Sequence, residues 1–314
     1  MMKKEGKIYV AGHGGLVGSA IVRGLKKAGY DNIITRTHKE LDLTRQKEVE
    51  DFFAEEKPEY VFLAAAKVGG IHINNIAPAE FIYINTAIQT NVIHSSYINK
   101  VEKLMFMGSG CIYPRITPQP IKESYLLTGE LEKTNEAYAL AKICGLKMCE
   151  FYNKQYGTDY ISVMPCNLYG PGDNYNPVSS HVVPALIRKF HEAKVSGAKE
   201  VTLWGTGAAM REFMHIDDIA DACIFLMDHY SGNECINIGC GEDLKIKDLA
   251  TLIAEIVGFD GELVFDTSMP DGTPRKLLDS SRLFDLGWRP GIDLRTGLKE
   301  VYEDYLINSE NYRN

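Results

Sequence analysis

The chain has 314 residues, 45% apolar and 24% charged, an ordinary globular balance with enough length for a large core. Its formal net charge of −8 argues against a broad nucleic-acid footprint, although a local cluster of cations can hold an anionic ligand inside an acidic protein. Seven cysteines without a CxxC pair give little support to a disulfide framework or zinc site, and with no signal-like or bilayer-length apolar run the expectation is a cytoplasmic protein with reduced thiols, free of membrane contacts.

Residues 7–11 (KIYVA) read as a buried strand and 12–15 as a glycine-rich turn. Residues 16–28 then show helical spacing, with Leu16, Val17, Ala20, Ile21 and Leu25 on one face. Strands at 32–35, 60–64, 103–108 and 160–164 alternate with helices at 46–56, 78–99 and 136–156. Parallel strands need such crossovers, so the fold class is α/β, a Rossmann-type doubly wound parallel sheet. After Pro165 the pattern loosens. Residues 169–181 are rich in Gly, Pro, Asn and Ser and read as loop. Helices near 182–193, 216–229, 246–257 and 294–307, with strands at 201–204 and 262–265, suggest a smaller mixed substrate lobe. The expected division is a dinucleotide domain over 1–170, receiving part of 201–235, and an interleaved lobe over 171–314.

Gly12-His13-Gly14-Gly15-Leu16-Val17-Gly18 lies between the first strand and first helix. Glycines at positions one, four and seven let the turn reach positive φ and let backbone approach a pyrophosphate, while the helix N-terminus presents free N–H groups. The strand–turn–helix context makes this a dinucleotide site. An acidic residue ending the second strand would bind the ribose of NAD; here the chain reads Thr35-Arg36-Thr37-His38-Lys39. Arg36, with Lys39, suits a 2′-phosphate, so the cofactor is read as NADP(H). Asp42 and Leu43 are placed to contact the adenine. Ala64, Ala65 and Ala66 are small enough for backbone to lie close to the cofactor.

Tyr138 and Lys142 form a YxxxK pair, one helical turn apart on one face. A tyrosine near pKa 10 is a poor relay at neutral pH, and a lysine ammonium beside it, with the nicotinamide charge nearby, is expected to bring it down. Ser109, ending a strand, can bond the same substrate oxygen. No histidine has ligand-like spacing, so no metal is expected.

GxxGxxG, strand-end Ser109 and the Tyr138/Lys142 helix resemble the extended short-chain dehydrogenases/reductases, a family acting mostly on nucleotide sugars. Longer stretches carry the resemblance further: 64–70 (AAAKVGG), 108–114 (GSGCIYP), 134–142 (TNEAYALAK), 163–172 (VMPCNLYGPG), 180–185 (SHVVPA), 210–217 (MREFMHID) and 270–279 (PDGTPRKLLD). They are similar to the branch that epimerises a GDP-bound 4-keto-6-deoxy-mannose at C3 and C5 and then reduces C4 with NADPH. The resemblance implies Cys111 and His181 as the epimerising acid/base pair, and Ser109 and Tyr138 as holders of O4. It places Met107, Gly108, Lys142, Pro165, Asn167, Leu168 and His181 along the cofactor. Lys189, Trp204, Arg211 and Asp271 fall on positions that touch the GDP-sugar. Two positions depart: Gly14 and Lys189 stand where the family tends to arginine. Cys166 is read as structural. The resemblance further implies a homodimer built on helices 78–99 and 136–156.

The rival readings differ in chemistry. A nucleotide-sugar epimerase with no net redox, acting at C4, would leave Cys111 and His181 idle. A dehydratase would want an acidic pair after the strand-end serine, where this chain has Gly110-Cys111. A cofactor-sensing binding protein would be expected to lack Tyr138 or Lys142.

Overall fold

The structure is a computed structural model that describes residues 1–177, 179–269 and 271–308. Pro270, in the 270–279 motif, lies outside the described residues. The first half alternates β1 (Ile8–Ala11), α1 (Leu16–Lys27), β2 (Ile33–Ile34), α2 (Gln46–Glu56), β3 (Tyr60–Leu63), α3 (Ile71–Ile76), α4 (Pro78–Ile98), β4 (Lys103–Met107), α5 (Glu136–Tyr156) and β5 (Tyr160–Pro165). The second half runs β6 (Asn167–Tyr169), α6 (Val182–Ser196), β7 (Glu200–Trp204), β8 (Met210–Arg211), β9 (Phe213–His215), α7 (Ile216–His229), β10 (Ile236–Ile238), β11 (Leu244–Lys245), α8 (Ile246–Val257), β12 (Glu262–Asp266), β13 (Arg275–Lys276), α9 (Ser281–Asp285) and α10 (Leu294–Asn308).

Six parallel strands form the main sheet, in the order β10-β5-β4-β3-β1-β2. The chain starts at β1, steps out to the edge strand β2, then crosses back to β3, β4, β5 and β10 on the other side, and this reversal opens a crevice at the carboxyl ends of β1 and β3. Strands β1, β3, β4 and β5 are buried throughout, as expected for strands covered on both faces. Ala20, Ile21 and Leu25 of α1 are fully buried against α7 on one face, and α4 packs on α2 and α5 on the other. Ile21 and Leu25 each contribute roughly 1.5–3 kcal/mol of burial.

α7 and β10 return to the first half's sheet, β10 as its edge beside β5. A third apolar cluster, drawn from α6, α8, α10 and β7, forms the core of the remaining residues. Sequence periodicity does not register β6, β8, β9, β10, β11 or β13, each only two or three residues long. β2 is likewise shorter than the expected 32–35, and α6 runs on to Ser196. Among the described residues no helix is long and apolar enough to cross a membrane.

Candidate active site

The loop between β1 and α1 is shaped by what lies against it. Gly12 has φ +85, and a Cβ there would sit 2.6 Å from the Ala65 nitrogen. The loop therefore lies flush on Ala64–Ala66 at the end of β3. A Cβ on Gly18 would come within 2.6 Å of the Gly12 carbonyl carbon, so helix and turn meet backbone to backbone. Gly15 caps α1 in an extended conformation with no side-chain bond, which leaves the first-turn N–H groups of Leu16, Val17 and Gly18 for an anion. Gly14 faces open space, so backbone packing does not demand glycine there.

Arg36 follows β2. Its guanidinium lies over the Phe52 ring, pairs with Glu56, and donates to the Thr35 carbonyl at 2.9 Å. Glu40 is held below the usual carboxylate range by the Thr37 N–H and hydroxyl, with weaker help from Arg36 and His13. Arg36 and His13 thus gather at one corner beside the phosphate loop. The Nδ1 of His13 is buried without a partner among the described residues. Asp42 is engaged by the Thr44 N–H at 3.0 Å and hydroxyl at 2.8 Å, and Leu43 is buried.

Ser109 opens a short 3-10 turn (Gly110–Ile112) after β4, and its Oγ accepts the Cys111 N–H at 3.2 Å. This turn delivers the Cys111 thiol to the place where α5 presents Tyr138. Burial pushes the Tyr138 phenol well up, the neighbouring Cys111 adds to this, and a hydrogen bond with Ser109 opposes it. Tyr138 therefore shifts opposite to the expected direction. Burial dominates, and Lys142 does not aim at the phenol to offset it. Its Nζ donates to the Met107 carbonyl at 2.7 Å and lies 5.9 Å from the Tyr138 ring centroid. Lys142 is 3% exposed, and burial brings its ammonium down to about 7. Phe81 of α4 packs edge-on against Tyr138, ring centroids 6.3 Å apart.

His181 precedes α6 with extended backbone and makes no capping bond, so the imidazole is not spent on the helix end. The residue is exposed, yet surrounding protein disfavours its charged form and lowers its pKa. The Gly108 N–H donates to the Val163 carbonyl at 2.8 Å, and Gly108 abuts Met164, placing the β4 and β5 ends side by side. Asn167 donates to the Glu212 carbonyl at 2.8 Å, and Leu168 pairs with Met214 across β6 and β9.

The four residues expected to face a substrate, Lys189, Trp204, Arg211 and Asp271, all lie in the second half of the chain. Lys189 donates to the Thr202 carbonyl at 2.8 Å, and Trp204 ends the same strand with 67% of its surface exposed, so it is not core packing. Asp271 accepts the Thr206 N–H and hydroxyl, both at 2.7 Å, and so clamps the turn after Trp204. Arg211 is half-buried, its guanidinium beside Gly272 and in electrostatic reach of Cys111. Burial lowers its pKa, and among the described residues no carboxylate pairs with it.

Sequence reasoning missed Glu212, which is fully buried and accepts the Gly241 N–H at 2.8 Å and the Leu278 N–H at 3.1 Å. Burial raises its carboxyl to about 7. It joins the segments carrying Asn167, Arg211 and Leu278. Standing between Arg211 and Phe213, it reads in the sequence as an ordinary charge. Among the described residues no group of His, Cys, Asp or Glu could hold a metal ion.

A doubly wound sheet with a glycine-lined phosphate loop, and with serine, tyrosine and lysine meeting at the ends of β4 and α5, defines a nucleotide-dependent enzyme of the short-chain dehydrogenase type. Residues 8–239 match the NAD dependent epimerase/dehydratase family, and the chain belongs to that family. It is 61% identical to GDP-L-fucose synthase 1 of Arabidopsis thaliana, over 98% of this chain and 95% of that protein. It is 52% identical to GDP-L-fucose synthase of Escherichia coli, over 99% and 100%. Among solved structures it is similar to a GDP-L-fucose synthetase from Naegleria fowleri bound to NADP, with TM-score 0.93, 29% identity, and coverage of 100% of this chain and 96% of that one.

Proposed function

We propose that this enzyme converts GDP-4-keto-6-deoxy-D-mannose to GDP-L-fucose, by epimerisation at C3 and C5 followed by NADPH-dependent reduction of the C4 ketone. The observation that carries the reading is the meeting of Ser109, Cys111 and Tyr138 at the end of β4, with Arg211 in electrostatic reach of Cys111. The named relatives point the same way over nearly the whole chain.

The phosphate loop fits a dinucleotide because Gly12 and Gly18 remove the side chains that would fill it and α1 offers free N–H groups. Gly12–Gly18 would hold the pyrophosphate, Arg36 and His13 the 2′-phosphate, and Met107, Gly108, Pro165, Asn167 and Leu168 the face of the cleft. Bound NADPH supplies the hydride for C4.

The chain's own groups do the rest. The protons at C3 and C5 are α to the ketone and therefore acidic. Cys111 and His181 remove each proton and return one to the opposite face. The Ser109 and Tyr138 hydroxyls bond O4 and stabilise the enolate oxygen in a water-poor pocket. Reduction then leaves an alkoxide at O4 that must be protonated. A phenol whose pKa is raised stays protonated at neutral pH, so Tyr138 holds the proton that O4 takes. Arg211 and Lys189 bind the diphosphate, the first through its planar fork, and Trp204 offers an exposed ring to the sugar or base.

The test mixes the protein with GDP-4-keto-6-deoxy-D-mannose and follows NADPH absorbance, with NADH in a parallel cell. NADPH oxidation with GDP-L-fucose as product is expected. Oxidation of neither cofactor would replace this reading with an epimerase lacking net redox.

A homodimer belongs to the same proposal. Tyr83 and Ile98 of α4, with Leu140, Phe151 and Tyr156 of α5, are exposed on two helices packed side by side. Pairing this face with its copy would bury them in a four-helix contact. Sedimentation of a concentration-independent monomer would refute it.

A further inference from the structure

The turn that follows β3 touches both walls of the cleft. Asn74 of α3 is 7% exposed, and its Nδ2 donates to the Gly69 carbonyl at 2.7 Å and the Gly70 carbonyl at 3.1 Å. Asn85 of α4 is 1% exposed and clasps Lys67, accepting its N–H at 2.8 Å and donating to its carbonyl at 3.0 Å. These four bonds hold residues 67–70 to two helices. The Asn74 and Asn85 amide donors are spent on these buried carbonyls, so breaking a bond leaves a dry polar atom, which stiffens the turn.

On one side the turn meets the tyrosine wall. A Cβ on Gly69 would lie 3.5 Å from the tip of Phe81, whose ring packs edge-on against Tyr138. Helix α3 also packs on the 3-10 turn Lys133–Asn135, which leads directly into α5. On the other side the Gly70 N–H donates to the Ser179 carbonyl at 3.3 Å. A Cβ on Gly70 would stand 3.1 Å from the carbonyl oxygen of Ser180, the residue before His181. The segment before His181 is itself braced. Asn174 donates to the Ser179 hydroxyl at 2.9 Å, and Ser180 N–H to the Asn176 carbonyl at 3.0 Å.

We propose that the Gly69–Gly70 turn, held by Asn74, is a spacer that positions His181 relative to the Tyr138 wall, and so governs epimerisation at C3 and C5 rather than reduction at C4. Asn74 and Gly70 are positioning residues in this account. The proposal rests on the assignment of His181 to epimerisation. The two chemistries differ in what they need from this wall. Reduction uses O4, Tyr138 and the cofactor side, all on the first half's sheet. Proton transfer at C3 and C5 needs His181 at bonding distance from carbon, and a misplacement of an ångström costs about a hundredfold.

Two variants act on the spacer without touching the reacting groups. Gly70→Ala forces the Ser180 carbonyl back by a few tenths of an ångström. Asn74→Asp keeps the shape of the side chain but replaces the donor to both carbonyls with an oxygen that repels them. Each is compared with wild type and with His181→Asn, using GDP-4-keto-6-deoxy-D-mannose in D2O. The readouts are deuterium incorporated at C3 and C5, the ratio of epimerised to unepimerised C4-reduced sugar, and NADPH affinity. Both spacer variants are expected to lose about tenfold in deuterium incorporation and to release a larger share of unepimerised reduced sugar, with NADPH affinity within about twofold of wild type. A uniform loss of rate with an unchanged product ratio would overturn the proposal, as would loss of NADPH binding in both, which would make the turn a folding element. If His181→Asn abolishes exchange while both spacer variants keep it, the spacer alone is wrong. If His181→Asn itself keeps exchange, the role of His181 is wrong and the proposal falls with it.

Discussion

Replacing Lys142 by methionine is expected to make the protein more stable at neutral pH while abolishing its activity. Lys142 is 3% exposed and, among the described residues, has no carboxylate partner; burial alone takes its ammonium from 10.5 to about 7. At 1.36 kcal/mol per pH unit, that shift costs the folded state about 4 kcal/mol at pH 7. Methionine removes this cost and matches the aliphatic stem. It also leaves the Met107 carbonyl, now bonded by Nζ at 2.7 Å, without its donor, a loss of about 1–3 kcal/mol. The net gain is about 1–3 kcal/mol. The sign depends on pH. The folded pKa lies below the unfolded one, so the unfolded chain binds the proton more tightly. Wild-type stability therefore rises as pH climbs from about 7 toward 10.5. At pH 9 the cost has shrunk to about 2 kcal/mol, and Lys142→Met should lose its advantage. Urea unfolding at pH 7 and pH 9 measures both differences. A stability gap that is equal at the two pH values would refute the desolvation argument.

Arg36→Ala removes charge-assisted bonds worth about 1.5–3 kcal/mol, so NADPH affinity should fall about tenfold to a hundredfold while NADH affinity stays put; direct titration of both cofactors checks it. Gly18→Ala drives a methyl into the Gly12 backbone and should weaken NADPH binding by more than about tenfold, whereas Gly14→Ala, facing open space, should leave it unchanged. Asp173 is buried with one oxygen lacking a partner among the described residues, and burial lifts its carboxyl from 3.8 to about 7. Its ionisation costs the folded state stability as pH rises from about 4 to 7. Asp173→Asn should therefore gain on wild type through that window, by up to about 4 kcal/mol above it, in urea unfolding at pH 5 and 8.

The parts of the fold legible in the sequence are those with long periodicity or strict local geometry. β1, the glycine loop and α1 stand where the sequence places them, and Gly12 and Gly18 there each answer a backbone contact that a side chain would break. The YxxxK pair lies on one helix face, as a spacing of four requires. What spacing does not carry is direction. That Lys142 reaches for the Met107 carbonyl, and that Arg36 pairs with Glu56, depend on neighbours remote in sequence. The two- and three-residue strands of the second half escaped for a related reason: they are held by pairing with distant partners, not by any pattern of their own. Glu212 reads as an ordinary charge in MREFMHID until burial shows its two backbone donors. Asn74 and Asn85 are equally silent, since an asparagine in an apolar helix carries no sign of which carbonyl it will hold.

In the proposed reaction, inversion at a carbon needs a proton taken from one face and delivered to the other, so the two groups cannot share a wall. Cys111 rides on the turn that ends β4 in the main sheet. His181 begins α6, whose core belongs to the other cluster. Carrying the pair on separately packed segments, one ending a strand of the main sheet and one opening a helix of the third apolar cluster, suits the requirement for opposite faces, but it makes their separation depend on how those segments are held together. A cleft whose walls could drift would still reduce C4, because Ser109, Tyr138 and the phosphate loop all stand on the same sheet. It would lose epimerisation first. The bonds from Asn74 through Gly70 to Ser179 cross that divide directly, which is why a turn remote from the reacting carbons should decide which sugar the enzyme releases.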